Sequence, residues 1–312
     1  MTKKDFISII TPVYGEKELV SILYNEITKV ISNMNVDYEI IMVNDACPFG
    51  SGDEIEKLAE KDKHVKLIDL SRNFGQHNAI KAGLDYSNGN YAIIMDCDLQ
   101  DNPKYILDFY NKIKENEYDV IFGRYIERKD NKIKKFFSNL FHFINKKFGN
   151  FVHYEKSGNF SIISKNVVSK IKSINNYAFS YPSMISWLGF KIGFIDIHKD
   201  GRAFGKSRYN LFKSTKLALS IIISNSNKPL MFAVFCSLFF LTCCVIFIIK
   251  LIVDYYTKGI SIIGWTSLMV SIFLIGGLLF AYLALLGLYI GNIFTEVKKR
   301  PLYIVKKTIN ID

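Results

Sequence analysis

Cysteine is scarce in this chain, at 5 of 312 residues, and its arrangement lacks any framework. Cys47, Cys97, Cys236, Cys243 and Cys244 form no C-x-x-C pair; the last three lie in a long apolar stretch and the first two in a part expected to be cytoplasmic, where thiols stay reduced, so neither a disulfide framework nor a zinc site is indicated. Internal repeats, low-complexity linkers and nucleic-acid-binding motifs are also missing, so the net charge of +11 is not read as a nucleic-acid footprint. The apolar stretch Phe6 to Ile10 is too short for the core of a signal peptide, and nothing argues for export of the front part.

Charge itself is absent over two long stretches, Leu230 to Ile249 and Gly259 to Thr295. A bilayer-spanning helix needs about 20 predominantly apolar residues, whereas an unbroken run of about 10–14 is more typical of a buried core helix. Both stretches are therefore read as transmembrane helices, over residues 230–253 and 262–290. Lys199, Arg202, Lys206, Arg208, Lys213, Lys216 and Lys228 precede the first, and Lys298, Lys299, Arg300, Lys306 and Lys307 follow the second. The loop from Asp254 to Ser261 holds only Lys258. By the positive-inside rule residues 1–228 and a basic tail, 296–312, face the cytoplasm, with the chain a multi-pass protein of the inner (plasma) membrane. Lysines clustered beside apolar segments make an anionic bilayer surface the expected partner. The Gly287-x-x-x-Gly291 spacing suits close packing of spans within or between chains, so a homo-oligomer is expected.

Ahead of the spans, β-type runs alternate with helical patterns: Ile7 to Ile10, Leu19 to Met34, Tyr38 to Val43, Asp53 to Lys61, Val65 to Asp69, Asn78 to Tyr86 and Tyr91 to Met95. This rhythm predicts an α/β domain whose parallel sheet carries helices on both faces, with ligands outside the carboxyl ends of the strands. Thr11 to Glu16, Asn44 to Cys47 and the group around Asp96 occupy such ends. Between Lys132 and Gly149, Ile133, Phe136, Phe137, Leu140, Phe141, Ile144 and Phe148 recur every three or four residues beside lysines. An amphipathic helix of that composition lies in a membrane interface or packs on the sheet. A further helix, 211–223, is expected to lead to the first span.

The most informative stretch is Asp96-Cys97-Asp98, which closes the apolar run Tyr91 to Met95 and precedes Leu99-Gln100-Asp101-Asn102-Pro103. Two carboxylates one residue apart at a strand end can hold a hard divalent cation, Mg²⁺ or Mn²⁺, against a diphosphate. Taken alone, the same pattern also describes a solvated turn.

Read together, several stretches resemble the glycosyltransferase family 2 enzymes of GT-A (Rossmann-like) fold. Within them the chain is similar to the polyprenyl-phosphate glycosyltransferases, the group of bactoprenol glucosyltransferases and dolichol-phosphate mannose synthase. The stretches are Ile9 to Glu16, Val43-Asn44-Asp45, Leu70 to Gln76, Met95 to Pro103, Gly201 to Tyr209 and Glu296 to Tyr303. The resemblance implies a metal-dependent enzyme that moves a hexose from a nucleoside-diphosphate sugar, expected to be UDP-linked, to polyprenyl (undecaprenyl) phosphate with inversion. Pro12, Tyr14, Glu16 and Asp45 would line the nucleotide pocket. Asp98 would coordinate the cation, and Asp96 would hold the ribose or the same cation. Gln100 and Asp101 would orient the sugar or waters, although Asp101 or Asn102 could instead cap the helix that follows. Arg202, Lys206 and Arg208 would hold the acceptor phosphate, and Ser157 and Asn159 would belong to an acceptor loop. The chain departs from the family pattern at Gly15, usually Asn, and at Asn44-Asp45-Ala46-Cys47, usually Asp-Asp-Gly-Ser. A processive polysaccharide synthase would carry a Gln-x-x-Arg-Trp element, yet neither Trp187 nor Trp265 follows arginine. A non-catalytic membrane scaffold would not need the carboxylates.

Overall fold

The computed structural model describes residues 4–15, 17–126, 157–174, 180–198 and 264–311, with isolated helical positions between 230 and 257. Two compact units divide the chain. The larger comprises residues 1–142, 151–209 and 300–312, and the smaller 143–150 and 210–299.

The larger unit begins as the rhythm predicts. Strand β1 (Phe6–Val13), helix α1 (Lys17–Ile31), β2 (Asp37–Asn44), α2 (Ser51–Lys61), β3 (Val65–Leu70), α3 (Gln76–Tyr86), β4 (Tyr91–Ile94) and α4 (Tyr105–Lys114) follow in order. After them come β5 (Val120–Tyr125), β6 (Ser157–Ser164), α5 (Lys165–Lys172), α6 (Tyr181–Leu188) and β7 (Ile192–Ile197). The smaller unit contributes α7 (Trp265–Val297), and β8 (Val305–Ile309) returns to the larger one.

All the strands join one eight-stranded sheet in the order β7-β5-β6-β4-β1-β2-β3-β8. Strands β4, β1, β2 and β3 run parallel, but β6 runs antiparallel to β4 and β5, and β8 antiparallel to β3. The sheet is therefore mixed, which corrects the wholly parallel one expected. The β-α rhythm carried no information beyond β4, where the chain returns beside it as β6. Period-2 alternation sends side chains to both faces. Ile7, Ile9, Ile40 and Met42 pack with Val20, Leu23, Ile55 and Phe109 of α1, α2 and α4. Ile10, Ile41 and Val43 pack on the other face with Ile80, Leu84, Val167 and Ile185 of α3, α5 and α6.

The expected basic tail is not a tail. Leu302 is buried in the second core cluster, and β8 pairs with β3 so that Leu67 faces Ile309 and Asp69 faces Lys307. Flanking lysines hid this strand, as edge strands commonly carry charge. Helix α7 contains Leu274–Val297, long and apolar enough to cross a membrane, and among the described residues it is the one such helix. It runs past residue 290, the expected end of the second span, to Val297. The first expected span lies largely outside the described residues, as do the helices 132–149 and 211–223.

Candidate active site

In the sheet order, β2 and β3 lie on one side of β1 and β4 on the other, so the chain reverses its direction of travel between β1 and β4. Open α/β sheets bind ligands at such a switch point, beyond the carboxyl ends of the strands. Tyr14 and Gly15 follow β1 there, Asp45 follows β2, and Asp96, Cys97 and Asp98 follow β4. Pro12 fits in this central strand because the ladder to β4 is ending. The amide of Met95 donates to the Ile10 carbonyl, and two residues on, where Pro12 has no N–H, β4 has finished. Pro12 is buried, whereas Tyr14 is 43% exposed at the crevice.

Asp96 is held by two neighbouring elements. Its Oδ1 accepts from Gln76 Nε2 at the start of α3 (2.7 Å) and, at 3.4 Å, from Asn159 Nδ2 on β6. Burial, then the nearby carboxylates of Asp101 and Asp98, push its pKa up to about 7 against these two donors. Asp98 accepts from the Gln100 amide at 3.2 Å. The turn that permits this puts Leu99 at φ 58°, a left-handed conformation costly for a leucine. Asp101, 2% exposed, accepts from the Tyr125 hydroxyl at 2.7 Å. Burial and the charges of Asp101, Asp96 and Asp98 push the Tyr125 phenol above its ordinary range, so it stays a proton donor. Asn102 meets the turn into α4, its Oδ1 accepting from the Lys104 amide at 3.1 Å.

Asp45 is 2% exposed and receives two backbone amides, Phe74 N–H at Oδ1 (2.7 Å) and Gly75 N–H at Oδ2 (2.9 Å). Burial pushes its pKa up while these amides pull it down. Each oxygen retains a second acceptor direction, so the carboxylate fixes the loop before α3 and can still meet a base or ribose. Ala46 follows at φ 49°, and the preceding Asn44 ties the Cys47 amide (3.1 Å) to Asp69 (2.7 Å). Cys97, between the two acidic residues, faces inward; burial raises its thiol to about 12, and it accepts from the Tyr14 amide.

The chemistry of this set suits a hard cation. Burial first, and then the like charges of Asp101 and Asp98, disfavour ionisation of Asp96, a situation that a divalent ion relieves. Among the described residues no three His, Cys, Asp or Glu side chains form a complete metal cage. Mg²⁺ is ordinarily held by one or two carboxylates plus substrate phosphates and water, so the Asp96 and Asp98 pair fits it.

Of the expected site residues the structure therefore gathers Asp96, Asp98, Gln100, Asp101 and Asn159 around one point. Ser157, the first residue of β6, lies in register with Arg124 near the end of β5. Glu16, Arg202, Lys206 and Arg208 lie outside the described residues. Gln76 and Tyr125 were not singled out as site residues. Gln76 closes a stretch that carried the family resemblance, so a signal existed. Tyr125, the last residue of a plain apolar strand, offered none.

Residues 8–172 match the family described as Glycosyl transferase family 2. The chain is similar to the uncharacterized glycosyltransferase YkcC of Bacillus subtilis (strain 168), 33% identical over 311 residues, 98% of this chain and 94% of that one. It is similar as well to the prophage bactoprenol glucosyl transferase homolog of Escherichia coli (strain K12), 31% identical over 301 residues, 96% of this chain and 98% of that one. Among solved structures it resembles mannosyl-3-phosphoglycerate synthase from Rubrobacter xylanophilus, with a TM-score of 0.52, 14% identity and coverage of 70% and 72%. It also resembles glucosyl-3-phosphoglycerate synthase from Mycobacterium tuberculosis in complex with Mn²⁺, UDP and phosphoglyceric acid, with a TM-score of 0.51, 14% identity and coverage of 70% and 76%. At such identities the structural likeness speaks for the GT-A fold alone.

Proposed function

The chain belongs to glycosyltransferase family 2, and from that premise we propose that it transfers a hexose from a UDP-linked donor to a polyprenyl phosphate, with inversion, at the cytoplasmic face of a membrane. The observation that carries this reading is the carboxylate group Asp96, Asp98 and Asp101 at the switch point beside β1. The family and the bactoprenol glucosyl transferase names of its relatives support the reaction class. The proposed cation and donor base have a precedent on the same fold in the neighbour solved with Mn²⁺ and UDP.

Asp98 and Asp96 would hold Mg²⁺ or Mn²⁺. When bound, the ion supplies charge stabilisation to the departing nucleoside diphosphate. Gln76 and Asn159 hold Asp96 in place, and Tyr125 holds Asp101. Asp45 and Tyr14 flank the crevice where the nucleotide would sit, and Glu16 would complete it. A polyprenyl phosphate is already an anionic nucleophile at neutral pH, so this chain needs no strong general base. It needs cations that align the phosphate with the anomeric carbon, and Arg202, Lys206 and Arg208 are assigned that work, with Ser157 and Asn159 assigned to the acceptor side. Two membrane spans, an interfacial helix over 132–149 and assembly through the Gly287 and Gly291 face complete the proposal, argued from the charge and apolar pattern of the sequence.

Phosphorus NMR and mass spectrometry of both products, made by the full chain in detergent with UDP-hexoses and undecaprenyl phosphate, test the reading. The expected products are UDP and a lipid monophosphate sugar of inverted configuration. UMP with a lipid diphosphate would overturn the reaction, and a retained configuration the single displacement.

A further inference from the structure

We infer that the C-terminal segment Leu302–Asn310 is a brace for the donor pocket, with Tyr303 its positioning residue. This rests on the donor reading of the crevice between β1 and β4. The loop 71–75 and helix α3 supply the partners of both carboxylates: Phe74 and Gly75 amides to Asp45, and the Gln76 side chain to Asp96. The C-terminal segment holds this unit at its two ends. Where the loop begins, the Ser71 amide donates to the Ile304 carbonyl at 2.9 Å. At the far end of α3, the Tyr303 hydroxyl donates to Asp85 Oδ2 at 2.7 Å.

Asp85 is a demanding partner because its other oxygen neutralises Lys81 at 2.5 Å, and Lys81 is only 1% exposed. A buried ammonium must keep its carboxylate in place, so the phenol that fixes Asp85 also fixes the helix carrying both. Helix α3 is seated directly on the sheet, since a Cβ on Gly83 would fall 2.3 Å from Ile10 Cγ2. Closely seated, it moves as a unit, and a shift at Asp85 reaches Gln76, about 14 Å away along the axis. The same segment touches the neighbouring strand end. Lys306 pairs with Asp69 at 3.5 Å, and Asp69 accepts from Asn44, the residue before Asp45, at 2.7 Å. Asn310 secures the far end of β8 through the Ala59 and Val65 carbonyls at 2.6 and 2.9 Å.

The test compares Tyr303→Phe and Tyr303→Leu with the parent in the full chain in detergent, by amide hydrogen exchange and by titration with UDP and Mn²⁺. Tyr303→Phe keeps the ring, so it serves even if Tyr303→Leu fails to fold. Exchange over residues 71–78 should accelerate about fivefold or more while β1 and α1 stay unchanged. UDP affinity should weaken about three- to tenfold. Unchanged exchange at 71–78, a uniform rise across all strands, or unaltered UDP affinity despite faster exchange would each overturn the brace. If the parent itself does not bind UDP with Mn²⁺, the donor reading fails, while the exchange pattern still decides whether the segment braces the loop.

Discussion

Asp98→Ala deletes an anionic ligand rather than core volume, so it should cut turnover by about 100-fold or more while leaving the melting temperature of the metal-free protein nearly unchanged. Full activity at ordinary metal concentration would remove this residue from the donor site. Asp96→Asn has a different expected signature. In the metal-free protein the folded pKa of Asp96, about 7, lies above the ordinary carboxylate range. The folded state thus binds that proton more tightly than the unfolded state, and the site gains stability as pH falls from about 7 toward the unfolded value near 4. At pH 8 the ionised group is a cost, and the neutral amide should raise stability by roughly 1–3 kcal/mol while abolishing activity. Thermal melts from pH 8 down to 5.5 check this. The advantage of the variant should shrink steadily with acidification, and a constant offset would contradict the assigned cause.

Strands β5 and β6 meet the acidic group through Tyr125, which donates to Asp101, and Asn159, which donates to Asp96, and Gly158 makes room for the Tyr125 ring. A Cβ at Gly158 would fall 2.8 Å from the Tyr125 hydroxyl, so Gly158→Ala should displace the ring, release Asp101 and cost about 1–3 kcal/mol with a loss of turnover. The double variant with Tyr125→Phe is the check: once the hydroxyl is gone, the added cost of Gly158→Ala should fall markedly. Strict additivity would mean the two residues do not act through the same contact. This element was poorly legible in the sequence. Ser157 and Asn159 were expected in an acceptor loop, and Asn159 instead reaches Asp96 from a strand. Nothing local in Ser157 to Ser164 states which strand it will join.

For the whole molecule, the lysine asymmetry predicts that a glycosylation acceptor placed at Lys258 is reached only from the side opposite the catalytic domain. Modification from the cytoplasm would end the two-span topology. The sequence by itself determined the β-α rhythm through β4, the carboxylates at strand ends, the family and the long apolar helix. Those follow from short-range periodicity and motif spacing, which the linear order carries. Tertiary structure decided what depends on residues far apart in the chain. Tyr125 is 24 residues from Asp101, Tyr303 is 218 from Asp85, and β8 closes the edge beside β3 after the entire apolar region. A hydroxyl or an edge strand has no periodicity that names its partner. Only the folded sheet, by bringing strand ends and the C-terminal segment to the same loop, makes those pairings possible.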